Sequence, residues 1–397
     1  MSETIVSAVG WSTQVDAARA GSEAANMAQT RLSFRGPQLA IVFGSSWFDQ
    51  SALLHGIRSV LRQIPLIGGS TAGEIVPEGP ISHGCVVLLI GSTALTWSVG
   101  CGENADRAPH EAGQKAAFGA TKEFRGVQRL GCLVVGDGLV PGFADVVRGI
   151  QEVLGTSSLI VGGLAGDDLR FAQTYQYCNS RAMSRGVAAV LFGGAGKIGV
   201  GSQHGFAPIS KPRHITRARA NVLLELDHQP AASVYEEYFG AELVQRMRHE
   251  GLSRQGIAYP LGIQCETNHR WLLRNVVSVG ADGSLACNGE ILEGSWLQLM
   301  LGNHELAVEA ARTAAQEAIQ PLNHIAAVLV FDSAARRRLL GLEHAAMEIA
   351  GIRQVIGSAV PIAGCYTYGE YSSVGHEATV GRTAIQTSSV LVVALGT

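Results

Sequence analysis

Residues 68–74, GGSTAGE, and 364–370, GCYTYGE, keep glycine, threonine, glycine and glutamate at the same offsets: Gly68, Thr71, Gly73 and Glu74 against Gly364, Thr367, Gly369 and Glu370. A hydroxyl and a carboxylate three residues apart among glycines suit a phosphate cradle, a nucleophile turn, or a strand-end bend whose side chains take up freed backbone amides. Spacing separates them. Neither G-x-x-x-x-G-K-[ST] nor a helix-opening G-x-G-x-x-G occurs at these turns, and Ser70 lies in G-G-S-T-A-G, not in G-x-S-x-G. The turns read as architecture, with glycine supplying positive φ or close backbone approach. Their rim, where strand ends converge, is the place for a ligand pocket. Gly68, Thr71, Glu74, Tyr368 and Glu370 are the residues expected there. GGLAGDD at 162–168 is a looser copy, one residue shorter.

Acid–base chemistry has three candidates: Asp137 after the run CLVVGD, and the neighbours Asp167 and Asp168, since adjacent carboxylates shift each other's pKa. No histidine or metal-spaced partner accompanies them, and neighbours on a strand point apart, so the chain is expected not to be an enzyme. Arg270 and Arg274 in RWLLRN could clamp an α-carboxylate, with Glu74 or Glu370 meeting an α-amine. Their even spacing also suits the polar face of a half-buried strand. The run RRR at 336–338 reads as a solvated helix start or a partner contact, and Tyr366 and Tyr368 either flank a planar ligand or fill the gap between sheets.

The elements that must position these residues repeat with the turns. LAIVFGSS (39–46), QSALLHGIRSVLRQI (50–64) and PLIGGSTAGE (65–74) read as strand, amphipathic helix and strand, and the order recurs at 130–168 and 325–370. Each turn is followed by another apolar run, GCVVLLIG, GVAAVLFGG or SVLVVALG. Right-handed parallel crossovers are expected, with the later strands, joined by short links such as GST and GGAGK, adding antiparallel pairs. The fold class is α/β: mixed parallel and antiparallel sheets with outer helices, built from repeated βαβ–Gly-turn–β units in two domains.

With 397 residues, 47% of them hydrophobic and 16% charged, the chain can bury a large core. A net charge of −3 offers no footprint for nucleic acid. The start MSETIVSAVG lacks a basic and then apolar leader, and no run approaches the roughly 20 apolar residues of a membrane helix, so a cytoplasmic protein without membrane insertion is expected. The seven cysteines are dispersed, without a C-x-x-C pair, and imply neither a disulfide framework nor a zinc knuckle.

Five segments in register, PLIGGSTAGE, VGGLAGDD, ITRARANVLLELDHQPAASVYEEYFG, RWLLRNVVSVGADGSLACNGEILEGSWLQLM and PIAGCYTYGE, resemble FIST proteins, named for F-box and intracellular signal transduction. The resemblance implies an N-terminal segment at 1–35, an N-terminal FIST domain at 36–221 and a C-terminal one at 222–397. It implies a ligand-sensing module that signals to a separate partner chain. Stand-alone bacterial members of similar length resemble haem-binding nitric-oxide sensors that control a histidine kinase. Two departures stand out: His228 where glycine is frequent in ELDG-PA, and Asp332–Ser333 where a cysteine is frequent. The haem reading needs an axial donor, and without C-x-x-C-H the group would be non-covalent haem b. His204, beside Gly205 and Phe206, is the first candidate for the iron; His214, among Lys211, Arg213, Arg217 and Arg219, is the second. The alternative is an amino-acid or small-metabolite sensor without haem, using Arg270, Arg274 and the glycine turns. Assembly as a homodimer is left open by both.

Overall fold

The computed structural model describes residues 4–33, 36, 38–122, 124, 128–250, 258–264, 271–372 and 385–397. The apolar runs that end in the glycine turns form the second strand of three parallel pairs. Leu39–Ser45 lies beside Leu66–Thr71, Arg129–Asp137 beside Ile160–Ala165, and Ile325–Ser333 beside Ile362–Thr367. The helices Gln50–Leu61, Phe143–Leu154 and Ala334–Ile356 connect the members of each pair. Gly68, Gly162 and Gly364 sit opposite Val42, Val134 and Val330, and a Cβ at any of them would run into the facing valine's carbonyl oxygen. The first glycine of each turn is therefore there for close strand approach.

The later strands Cys85–Ser92, Val187–Gly194 and Val390–Gly396 do add antiparallel pairs, each against the first strand of its own unit. The expected hairpins across GST and GGAGK do not form. Leu95–Gly102 pairs with Val187–Gly194, and Lys197–Gln203 pairs with Val390–Gly396, so each short link carries the chain out of one sheet into the next. The strands are covered on both faces, and apolar pattern alone cannot choose their partners.

The last slot of every sheet is filled from another unit. The hairpin Glu74–Val76/Gly79–Ile81 joins the sheet of Ile362–Thr367, Gln176–Cys178/Arg181–Met183 joins that of Leu66–Thr71, and Glu370–Ser372/Ile385–Gln386 joins that of Ile160–Ala165. Among the described residues this gives three six-stranded mixed sheets linked in a ring by exchanged hairpins. Their inner faces share one core, with Ile41, Leu133 and Leu329 from different sheets and an edge-to-face pair of Phe43 and Phe331 at 5.7 Å. The helices cover the outer faces. Ala17–Arg31, Pro109–Thr121 and His304–Ile319 bury alanines at three- and four-residue spacing, which brings their backbones close to the strands beneath.

The third unit is interrupted. Between Lys197–Gln203 and His304–Ile319 the described residues build a nine-stranded antiparallel layer with its own core, including Ile215, Leu226, Tyr235, Met247 and Leu299. The expected domain boundary at 221/222 cuts the hairpin Arg213–Arg219/Val222–Leu226, in which Arg219 faces Val222. It also separates Lys197–Gln203 from the C-terminal strand it pairs with. The third α/β unit thus begins before the inserted layer and resumes after it.

Candidate functional site

At the first turn, Thr71 Oγ1 donates to Glu74 Oε1 at 2.5 Å and accepts from Gly73 N at 3.2 Å, while Gly84 N donates to Glu74 Oε2 at 2.9 Å. At the last turn, Thr367 Oγ1 donates to Glu370 Oε1 at 2.6 Å, and Ser389 Oγ donates to Glu370 Oε2 at 2.7 Å. Both carboxyls are buried. Loss of water raises Glu74 to about 8 and Glu370 to about 7, against the pull of their hydrogen bonds. The middle copy is in register through Ala165, since Asp137 faces Ala165 as Ser45 faces Thr71 and Ser333 faces Thr367. It is not one residue shorter. Its counterpart of the glutamates is Gln176, displaced by an inserted loop: Gln176 faces Gly69 as Glu74 faces Cys365 and Glu370 faces Gly163. Gly186 N donates to Gln176 Oε1 at 2.9 Å, as Gly84 N does to Glu74.

Above this shared base the copies diverge, and at the last turn they leave a cleft of about 800 Å³. One wall is the loop 138–142 and the start of Phe143–Leu154; a second is Ser333–Ala335 with Thr367 and Tyr368; the third is the inserted layer, through Asn221, Asn275, Val277, Asn288 and Glu290. Two helices point their N-termini into it. Phe143–Leu154 starts after Gly142, at φ 89° and without a side-chain cap, and its Asp145 N donates to Gly142 O at 2.9 Å. Ala334–Ile356 starts after Ser333, whose Oγ accepts from Ala335 N at 3.2 Å. The dipole of Ala334–Ile356, whose first turn carries no acidic side chain, makes its end of the cleft favourable for negative charge. Asp145, in the first turn of Phe143–Leu154, and Glu290, from the inserted layer, add carboxylates to the lining, both within reach of Arg148. Tyr368 stacks on Phe171 at 5.1 Å; its hydroxyl donates to Asp167 Oδ1 and accepts from Leu169 N at 2.8 Å. A second cavity of about 660 Å³ shares Leu139, Val140, Pro141 and Phe171 with the first.

Of the residues expected to meet a ligand, Tyr368 lines the cleft. Gly68, Thr71, Glu74 and Glu370 lie in the buried base. Arg274 is buried, and its guanidinium donates to the carbonyl oxygens of Glu290, Leu273 and Ile385, tying the inserted layer to the C-terminal hairpin. It frames the cleft from behind and is not a clamp within it. Arg270 lies outside the described residues.

Asp167 accepts from the amides of Phe171, Ala172 and Gln173 and so organises the inserted loop. Asp137 does the same for Leu139 and Arg185. Asp168, at φ 56°, turns the other way toward Ser45. The run 336–338 is not a solvated start throughout. Arg336 is wholly buried between Asp332 and Glu348 and also donates to Ala307 O, while Arg337 reaches over the first turn to Ala72 O and Ser82 Oγ.

The two candidate histidines do not meet. His204 Nδ1 accepts from Phe206 N at 3.0 Å, and His214 packs edge-on against Trp296 at 5.3 Å while its own amide donates to Asp227. Neither lines either cavity. Among the described residues the sulfur donor in the cleft is Cys287, a thiol pushed up to about 12 by burial. Among the described residues no histidine lines either cavity. Among the described residues no cluster of three or more histidine, cysteine or acidic side chains could hold a metal ion.

Residues missed in sequence include Asn275, Asn288, Ser333 and Thr367. The last two occupy the strand-end positions of the repeat, a signal that was available; the asparagines come from the inserted layer and carry no local signature.

An uncharacterised protein of Methanocaldococcus jannaschii is 26% identical over 68% of this chain, which spans 55% of that relative's length. An uncharacterised protein of Mycobacterium tuberculosis is 26% identical over 95% of this chain and 97% of its own. Among solved structures, the cyanuric acid hydrolase from A. caulinodans aligns over 99% of this chain and 100% of that one, at a TM-score of 0.36 and 11% identity. PurL from T. maritima, complexed with AMPPCP, aligns over 99% of this chain and 72% of that one, at a TM-score of 0.23 and 9% identity. These two likenesses are too slight to bear on activity. The family model of the FIST N domain matches residues 38–229 and that of the FIST C domain matches 231–373, so the chain belongs to the FIST family.

Proposed function

We propose that this chain senses a small amphipathic metabolite, with a free amino acid as the leading class, and passes the signal to a separate partner protein. FIST domains are small-ligand sensory modules of signal transduction. The observation that carries the reading is the cleft whose lining brings together the N-terminus of Ala334–Ile356, the carboxylates of Asp145 and Glu290, and an apolar floor that includes Leu164, Leu169 and Val277. A carboxylate suits the helix end, an ammonium group suits the acidic side, and a side chain suits the floor beside Tyr368. The inserted layer forms one wall and Ser333–Ala335 with Tyr368 another, so a bound molecule touches both the layer and the third unit and can bias their packing. The haem reading, with nitric oxide as signal and a histidine kinase as partner, lacks this geometric support because His204 and His214 lie away from both cavities.

The test is thermal unfolding of the full chain with each proteinogenic amino acid and, separately, with haem, for wild type and Ala335→Asp. Aspartate in a helix's first turn is compatible with the helix dipole, yet here it places a carboxylate where the ligand's own would sit. The expected result is stabilisation of wild type by one chemical class, lost in the variant, whose unliganded melting temperature stays near that of wild type. Haem uptake with a Soret band that His204→Ala abolishes, and no response to amino acids, would replace this reading with the haem one.

A further inference from the structure

A single guanidinium behind the cleft wall holds two carboxyl groups. Arg336 Nε donates to Asp332 Oδ1 at 2.9 Å, and its Nη2 donates to Glu348 Oε1. Nε and Nη2 form one edge of the planar fork, an edge that ordinarily takes both oxygens of one carboxylate. Here it takes one oxygen from each of two, so the carboxyls lie side by side. All three side chains are wholly buried, and the second oxygen of each acid, Asp332 Oδ2 and Glu348 Oε2, has no hydrogen-bond partner. A third carboxyl adjoins them: Thr367 Oγ1 lies 3.2 Å from Asp332 O and 2.6 Å from Glu370 Oε1. With Asp332 and Glu348 both ionised, the cluster would carry an uncompensated negative charge away from water. One proton between Asp332 Oδ2 and Glu348 Oε2 cancels that charge and satisfies both oxygens.

The cluster spans a break in the helix. Ala334–Ile356 leaves helical geometry at Gly341, at φ 68° and ψ −176°, so 334–340 is a separate first piece. Among the described ion pairs, Arg336–Glu348 is the one that crosses the break. Arg336 also donates to Ala307 O at 2.9 Å and to His204 O. The start of that first piece, with Ser333, is a wall of the cleft.

We propose that Asp332 carries a proton donated to Glu348, that this proton locks the two pieces of the helix together through Arg336, and that its release at alkaline pH frees 334–340 and loosens the cleft wall. The lock does not depend on what the cleft binds. Loss of water raises Asp332 well above the usual carboxylate range; Glu348 adds to this, Arg336 opposes it, and Glu370 adds a smaller push. Tyr366 faces Asp332 across the parallel pair, with a buried hydroxyl that lacks a partner and Arg337 over its ring. His304 and His344 stack at 3.9 Å beside the break. An unfolded aspartate releases its proton near 3.8, so above that pH the folded chain holds one proton more until Asp332 titrates, and stability falls as pH rises through that window.

The experiment is equilibrium unfolding of the full chain, free of ligand, from pH 5 to pH 9, for wild type and Glu348→Gln. In the variant the carboxamide oxygen can accept from Arg336 while its nitrogen donates to Asp332, so no shared proton is needed. Up to the pH at which Asp332 titrates, the wild-type unfolding constant should rise about tenfold per pH unit more steeply than the variant's. Amide exchange, corrected for intrinsic rates, should show protection at 334–341 falling with pH in wild type relative to Gln50–Leu61, and staying level in the variant. Equal slopes would overturn the proton, and unequal slopes with equal protection at 334–341 would overturn the lock. Should Glu348→Gln not fold, infrared spectra of the chain with carbon-13-labelled aspartate at pH 7 take its place. A protonated-aspartate carbonyl band that survives Asp168→Asn is expected; no band in wild type, or one lost in Asp168→Asn, overturns the proposal.

Discussion

The first and last turns share a base and differ in what covers it. Below, Thr71–Glu74 and Thr367–Glu370 make the same hydroxyl–carboxyl bond and receive a bond from the residue before the returning strand, Gly84 or Ser389. Above, Arg337 closes the first turn, donating to Ala72 O and lying over the Tyr366 ring at 4.7 Å. The last turn has Tyr368 where the first has Ala72, and the inserted layer spans over it to leave the cleft. What the copies hold in common is architecture. The candidate function lies where the third unit was interrupted and its symmetry lost.

The base can be broken by volume. Gly68→Val and Gly364→Val each force a side chain into a facing carbonyl in a fully packed sheet, and each should cost about 3 kcal/mol or more. Chemical denaturation should show similar losses for both. A loss at one turn only would mean that the bases are not equivalent.

Proton occupancy sharpens the comparison. An unfolded glutamate releases its proton near 4.5, whereas folded Glu74 keeps it to about 8 and Glu370 to about 7. The folded chain therefore binds more protons across these windows, and stability falls as pH rises from about 4.5 to 8 for Glu74 and to 7 for Glu370. Gln176 does the same structural work without a proton to lose. Glu74→Gln should be more stable than wild type at pH 8 by on the order of 2 kcal/mol, Glu370→Gln by less, and Gln176→Glu should be destabilised there. Equilibrium unfolding at pH 5 and pH 8 measures all three, with little difference among them expected at the lower pH.

Smaller effects come from the second glycines. Gly73 has φ 118°, in a region that favours glycine, whereas Gly369 is not at positive φ and is hemmed in by Leu164 and Ile385. Gly73→Val should lower stability by about 2 kcal/mol and displace Arg337, while Gly369→Val should cost about 1 kcal/mol. Equal melting temperatures for the two would contradict the difference in backbone.

Strands, helices and glycine turns were legible in sequence because apolar runs and tight bends are local. Sheet partnership was not: Thr93 and Ala94 look like a hairpin link and instead join two sheets, a choice made by packing of the whole ring. Gln176 escaped notice because the inserted loop broke its offset from Gly162, leaving Asp168 in the matching place. At the cleft, Tyr368 was within reach of a repeat comparison. Asn275 and Asn288 were not, because they enter from a layer whose own pattern describes only its core. The lone histidines were singled out by type and neighbours, which say nothing about whether a cavity adjoins them.

Amide hydrogen exchange compares the two turns most directly. The chain should be measured free and saturated with whichever amino acid stabilises it most in the thermal panel. The account predicts that binding slows exchange in 138–145, 333–335 and 367–369, and leaves 71–74 unchanged. Equal protection at both turns, or protection confined to 71–74 or to 204–214, would contradict the claim that the ligand site lies in the cleft beside Tyr368.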